Sequence, residues 1–168
     1  MFKKKKGFTL IEVIVSFSLF TLVVMAANVM LFSTFRSARK AATVSEVNNE
    51  GAYVMNSMIS LLRYSRDIVC TTATRLDISA SDGGIFYYEL SGNRIASTSA
   101  LSSSYLTSDQ VSVQLPAECG GRFFTCSANS RSVDICYALE KVSYTDVTDR
   151  ASSQTNGILF RSTVTLRN

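Results

Sequence analysis

The chain of 168 residues has no histidine, no tryptophan and one proline, Pro116. Without histidine there is no imidazole for acid–base catalysis, for the usual serine and cysteine triads, or for the commonest kind of metal ligand. Serine and cysteine nucleophiles are left without a base, and paired acids for glycoside chemistry need a cleft that sequence does not reveal. No Gly-rich phosphate loop, internal repeat or cofactor motif is present, so nothing supports an enzyme. Charge is missing from one stretch altogether. From Val13 to Phe35 there is no charged side chain over 23 residues, and from Phe8 to Glu50 there is neither glycine nor proline.

That uncharged stretch spans about 35 Å as a helix, at about 1.5 Å per residue. A bilayer hydrocarbon core is about 30 Å thick, so the stretch is long enough to cross one. Lys3, Lys4, Lys5 and Lys6 stand on one side of it only. By the positive-inside rule they keep the N-terminus cytoplasmic and send residues 36–168 out of the cytoplasm. The four lysines also account for the whole formal charge of +4. Removing them leaves 13 basic against 13 acidic side chains, so the footprint of a nucleic-acid-binding protein is absent as a global property. A local patch at Arg36, Arg39 and Lys40 marks the end of the span.

Glu12 is the anomaly, because an acid carried to the centre of a bilayer costs about 2.5–3.5 kcal/mol. It needs a cation: the lysines, or a new α-amine at Phe8 if the chain is cut after Gly7. Gly7-Phe8-Thr9-Leu10-Ile11-Glu12-Val13, with its basic leader and long apolar run, resembles the processing site of type IV prepilins and type II secretion pseudopilins. The resemblance implies that a prepilin peptidase cuts between Gly7 and Phe8 and methylates the Phe8 amine. It further implies that Glu12 pairs with the amine of an adjacent subunit during assembly. Other implied partners are pilin or pseudopilin subunits and an inner-membrane assembly platform. The competing readings are an ordinary secretory signal, with Val24-Met25-Ala26-Ala27 as a weak cleavage site, and a plain single-pass anchor. The first has too short an apolar core; the second explains neither Glu12 nor Gly7-Phe8.

Four organisational segments are expected: a leader, 1–7; a membrane and filament-core helix, 8–35; an amphipathic helix, 36–68; and a β-rich extracytoplasmic head, 69–168. Val44, Val47, Val54, Met55, Met58, Leu61 and Leu62 recur at helical spacing and predict one face to bury. Gly51 is a weak point in that helix. Beyond Asp67 the pattern turns to strands. Ile85–Leu90 and Arg94–Ser97 form a hairpin about Ser91-Gly92-Asn93, and Val111–Leu115 runs up to Pro116. Further strands are expected at Val133–Leu139, at Val142 with Tyr144, and at Ile158–Leu166. Ser97–Ser104 and Asp146–Gly157 are expected as loops. A long N-terminal helix on an antiparallel sheet is α+β in class, and it is also the layout of the pilin family.

Cys70, Cys119, Cys126 and Cys136 all lie beyond the span, where an even number suggests two disulfides. Their spacing is not that of a zinc site. Three connectivities are open, and the spacing favours Cys119–Cys126 as a local loop with Cys70–Cys136 as a tie from helix end to sheet. Free buried thiols are the alternative. Two acidic runs, Asp77–Gly84 and Asp146, Asp149 with Asn156, faintly resemble calcium loops, but the first lacks the glycine and glutamate that such a loop needs. No metal site is expected.

Weaker resemblances point to J-type minor pseudopilins and related minor pilins. They rest on Leu62-Arg63-Tyr64-Ser65-Arg66, Tyr87-Tyr88 with Gly92-Asn93-Arg94, Leu106-Thr107-Ser108-Asp109, and Val164-Thr165-Leu166-Arg167-Asn168. The unbroken apolar helix also fits a low-copy subunit better than a bulk one. The expected function is a structural subunit held in the inner membrane by a single pass and then drawn into a pilus or pseudopilus. The alternative is an anchored extracellular adhesin or binding module that uses a pilin-like leader for delivery.

Overall fold

A computed structural model describes residues 7–129, 131–142 and 157–167. The chain forms two compact units, one ending at Ala42 and one beginning at Thr43. A single helix, α1 (Leu10–Arg63), contributes to both.

In the first unit, α1 buries none of its apolar side chains, and it is long and apolar enough to cross a membrane. Its few polar side chains turn back onto the helix. Ser16 Oγ donates to the Glu12 carbonyl at 2.7 Å, Thr21 Oγ1 to Phe17 at 2.8 Å, Asn28 Nδ2 to Val24 at 2.8 Å and Thr34 Oγ1 to Met30 at 2.9 Å. These four groups are thereby satisfied within the helix, as a lipid environment demands.

From Thr43 onward α1 is amphipathic. Val47, Gly51, Val54, Met55, Met58 and Leu62 are buried, one every three or four residues. The expected members Val44 and Leu61 are 42% and 47% exposed. Val44 sits a turn short of the first buried position, and Leu61 on the border of the stripe. The helix ends at Arg63, five residues before the expected 68. Buried Ser65 closes it by donating its hydroxyl to the Leu62 carbonyl at 2.6 Å. The same serine begins the first strand.

The head is an α+β assembly with two antiparallel sheets. The first is a meander in sequence order: β1 (Ser65–Thr72), β2 (Arg75–Ala80), β3 (Ile85–Ser91), β4 (Arg94–Ser99) and β5 (Ser103–Tyr105). The second is centred on β8 (Ser132–Lys141), which pairs with β6 (Val111–Gln114), β7 (Phe124–Cys126) and β9 (Ile158–Thr165). The sheets join where the Phe123 N–H donates to the Ala73 carbonyl and the Val113 N–H to the Asn93 carbonyl, both at 2.8 Å. One core runs under both sheets, with Tyr88, Tyr137, Phe123, Phe124, Leu76 and Ile135 fully buried among the helix residues.

Several expected loops are strands. Ser97–Ser104 contains the end of β4 and most of β5, because hydroxyl pairs such as Thr98 Oγ1 with Ser103 Oγ at 2.9 Å supply local partners for a polar hairpin. β2 runs through Asp77 and Ile78, and β7 is too short to show in the pattern. β8 continues to Lys141 as one strand, and Val142 follows it with its N–H on the Gln110 carbonyl at 2.8 Å. Tyr144 and the run Asp146–Asn156 lie outside the described residues.

Gly51 is a packing site and not a weak point. A Cβ at this position would fall inside the ring of Phe160. The helix can approach β8 and β9 this closely only because position 51 has no side chain. The Tyr137 hydroxyl, buried, donates to the Gly51 carbonyl at 2.9 Å, and the Tyr137 and Phe160 rings stack with centroids 5.5 Å apart.

Candidate functional site

The residues around the expected cleavage point precede the helix. Gly7, Phe8 and Thr9 are non-helical, Gly7 has no heavy atom within 4 Å of where a Cβ would be, and Phe8 is 79% exposed. The Gly7–Phe8 peptide is therefore outside the helical hydrogen-bond ladder and open to a second molecule. Lys3 to Lys6 lie outside the described residues.

Glu12 occupies the first turn of α1. The positive end of the helix dipole favours an acid there. The Thr9 carbonyl accepts the N–H groups of Glu12 at 3.1 Å and Val13 at 3.3 Å, so Thr9 stands at the helix cap. Thr9 and Glu12 have the spacing of a capping box, a signal that the sequence reading missed. The box is not closed: among the described residues the Glu12 carboxylate has no hydrogen bond or ion pair.

The apolar side chains on either side of Glu12 set the energetics. Eighteen large apolar side chains between Phe8 and Phe35 are exposed. At about 1.5 kcal/mol for burying each one, the lower end of the usual range, they represent about 27 kcal/mol of unrealised burial. That exceeds the 5–15 kcal/mol that holds a typical domain together. Such a helix requires lipid or other apolar helices around it.

Among its described residues the head has no comparable feature, and two of its expected features are differently arranged. The disulfides are Cys70–Cys126 and Cys119–Cys136, with Cα separations of 5.8 Å and 5.5 Å. The expected pairing, Cys119–Cys126 with Cys70–Cys136, is thus incorrect. Strand pairing decides the matter. The Phe123 and Phe124 N–H groups both donate to Ala73, which brings the end of β1 beside β7 and Cys70 to Cys126. The Cys136 N–H donates to the Phe123 carbonyl, and a 3₁₀ turn at Ala117–Cys119 carries Cys119 back to β8. No free cysteine remains.

Asp77, first in one suggested calcium run, lies on β2 and is engaged by Thr71 and Arg75, the latter with Nη2 at 2.8 Å. Burial pushes its carboxyl upward. The hydrogen bonds from Thr71 and Arg75 outweigh that and hold it below the ordinary carboxylate range. Asp82 accepts the Gly84 N–H at 2.9 Å in a local turn. Among the described residues no three His, Cys, Asp or Glu side chains gather as metal ligands; Asp146, Asp149 and Asn156 lie outside them.

A family model described as the prokaryotic N-terminal methylation motif matches residues 2–28. That match covers the basic leader, Gly7-Phe8, Glu12 and most of the apolar run. Comparison with curated proteins and with solved structures gives no match. The family that bears the motif is structural and not catalytic in character. The chain therefore carries at residues 2–28, ahead of and into a long exposed apolar helix that begins at Leu10, the signature of type IV pilins and pseudopilins.

Proposed function

We propose that this protein is a precursor of a minor subunit of a type IV pilus or a type II secretion-like pseudopilus. The observation that carries the reading is the methylation motif on a segment, Phe8 to Phe35, with eighteen exposed large apolar side chains. A prepilin peptidase cuts between Gly7 and Phe8 and methylates the new amine. Until assembly, residues 8–35 hold the chain in the inner membrane, with the N-terminus cytoplasmic and the head outside. An inner-membrane assembly platform then moves the helix from lipid into a bundle of other pilin-like helices, so the apolar surface exchanges one apolar environment for another.

Such an exchange is nearly neutral for aliphatic surface and leaves charge to set the register. In a water-free bundle an unpaired carboxylate costs several kcal/mol. The methylated amine of Phe8 on a neighbouring subunit is the natural partner for Glu12, and any other stagger leaves both unpaired. The unbroken helix from Leu10 to Arg63 supports a low-copy subunit.

The test is the N-terminal mass of protein purified from its own membranes. A chain that begins at methylated Phe8 is expected. A chain that still begins at Met1 in cells with active peptidase reduces the protein to a single-pass anchor.

A further inference from the structure

The second sheet ends on β9, and two hydrogen bonds past that strand show which way its backbone faces. The Leu166 N–H donates to the Arg131 carbonyl at 2.8 Å, and the Arg167 N–H turns the other way, to the Arg63 carbonyl at 3.4 Å. β9 pairs with β8 residue for residue, from Ser132 with Thr165 to Leu139 with Ile158, without a register shift. In an antiparallel ladder the backbone groups alternate between the two sides of a strand. Ile158, Phe160, Ser162 and Val164 therefore bond to β8, in line with Leu166. Leu159, Arg161, Thr163 and Thr165 aim their N–H and C=O groups outward, in line with Arg167. Among the described residues β9 has no second strand beside it, and no other backbone group bonds to those four.

An open edge is a template for strand addition, and proteins ordinarily blunt it with proline, lysine, a bulge or brevity. β5, at one edge of the first sheet, is three residues long. β1, at the other, carries Arg66, Asp67 and two register shifts. β9 has eight residues, with no proline, lysine or bulge. Its one charge, Arg161, is held by Asp134 at 2.8 Å. Helix α1 flanks this edge. Glu46 and Glu50 engage Lys141 and Ser108, on the β6 side of β8. At about 3.6 residues per turn, Ala52 and Ile59 fall on the opposite flank of α1, toward β9. A strand added to β9 would set alternate side chains near Ile59, Phe160 and Leu166, which are only partly buried.

A second copy does not fit. β9 runs in the same direction as α1, with Phe160 at Gly51 and Arg167 at Arg63. Antiparallel pairing of two β9 strands sets two α1 helices in opposite directions, which two chains held in one membrane by those helices cannot adopt; the exclusion rests on the proposed anchoring. Parallel pairing needs the strands offset by an odd number of residues, since the same four residues face outward in both, so it closes no two-fold pair. We propose that the β9 edge takes an extended segment of a different polypeptide as an added strand. That segment spans residues 159–165 and carries apolar side chains at alternate positions, so backbone bonds hold it and the groove beside α1 selects it.

The probe is a synthetic peptide of residues 158–167, which is free of the membrane and can pair antiparallel. Ser162 opposite Ser162 sets Phe160 against Val164 and Arg161 against Thr163, whereas the adjacent register opposes Arg161 to Arg161 and is disfavoured. Amide hydrogen exchange of the isotope-labelled full mature chain in neutral detergent is followed by NMR. Without peptide, Leu159, Arg161, Thr163 and Thr165 are expected to exchange at least about tenfold faster than Phe160, Ser162 and Val164. With peptide at about ten times its Kd, the same four are expected to slow about tenfold. A peptide N-methylated at its Arg161 and Thr163 residues loses the donors that face β9 and is expected to bind at least about tenfold more weakly. N-methylation at its Ser162 and Val164 residues, which face away, is expected to leave binding within about twofold. The proposal is overturned if the four amides are already protected without peptide, if the peptide leaves them unprotected, or if the two methylated peptides bind alike. It is also overturned if those amides become protected as the chain alone is concentrated, since a second copy is then the occupant. The N-terminal mass of the same sample tests the subunit reading separately, so the two fail independently.

Discussion

Replacing Gly51 with alanine separates a reading of the helix from a reading of the fold. Glycine inside a helix is about 0.8–1.0 kcal/mol less favourable than alanine, so by propensity Gly51→Ala stabilises. In the structure the added Cβ would fall inside the Phe160 ring. Phe160 cannot simply swing aside, because it stacks on Tyr137, whose hydroxyl is bonded to the Gly51 carbonyl. Overpacking of this kind costs about 1–3 kcal/mol, and stretching the Tyr137 bond adds about 1 kcal/mol. After the propensity gain, a net loss of about 1–3 kcal/mol remains. For a head of this size that lowers the melting temperature by about 3–12 °C. The assay is thermal unfolding in detergent followed by near-ultraviolet circular dichroism, which reports the buried tyrosines. The companion variant is Phe160→Leu. Gly51→Ala should cost less in its presence than in wild type, giving a favourable coupling in the double-mutant cycle. A rise in melting temperature for Gly51→Ala, or strict additivity with Phe160→Leu, refutes the close-approach argument.

Other outcomes follow from the same structure. Tyr88 and Tyr137 are both buried and burial raises the pKa of both, but only the Tyr137 hydroxyl has a partner among the described residues. Tyr137→Phe should therefore destabilise by about 1 kcal/mol, whereas Tyr88→Phe should be neutral or stabilising in urea unfolding. Non-reducing peptide mapping should recover Cys70 with Cys126 and Cys119 with Cys136. The sequence separations of 56 and 17 residues predict losses of about 4 and about 3 kcal/mol when each bridge is removed singly. The hydrogen bond from Thr163, together with Arg161, depresses the Asp134 carboxyl. Its contribution to stability is present above the unfolded carboxylate pKa, about 3.9, and is lost as pH falls through the lower folded value. Asp134→Asn should flatten that acid limb when urea midpoints are measured against pH. Glu12→Gln should leave cleavage after Gly7 intact while removing the protein from sheared filaments; a variant that co-assembles like wild type would refute the register role.

The first thirty-five residues were legible because their message is local. Membrane length, the one-sided lysines, the Gly7-Phe8 junction and the lone acid at Glu12 are all read along the chain, and a segment without tertiary partners has nothing to override it. The amphipathic face from Val47 to Leu62 and the strands about Tyr88, Val113, Tyr137 and Val164 were legible for a related reason. Periodicity records which side faces a core. What periodicity does not record is which distant segment supplies the other side. The end of helix α1 depended on one serine hydroxyl at Ser65. The cysteine pairing depended on β7 lying against β1, a contact across more than fifty residues that no spacing encodes. Gly51 carries a helix penalty in any sequence-based account. Only the arrival of Phe160 from the far end of the chain makes it the residue that lets the helix seat. Local chemistry thus accounts for the methylation motif and the exposed apolar helix. Long-range hydrogen bonding, which sequence separation hides, decided how its head is braced and what it presents.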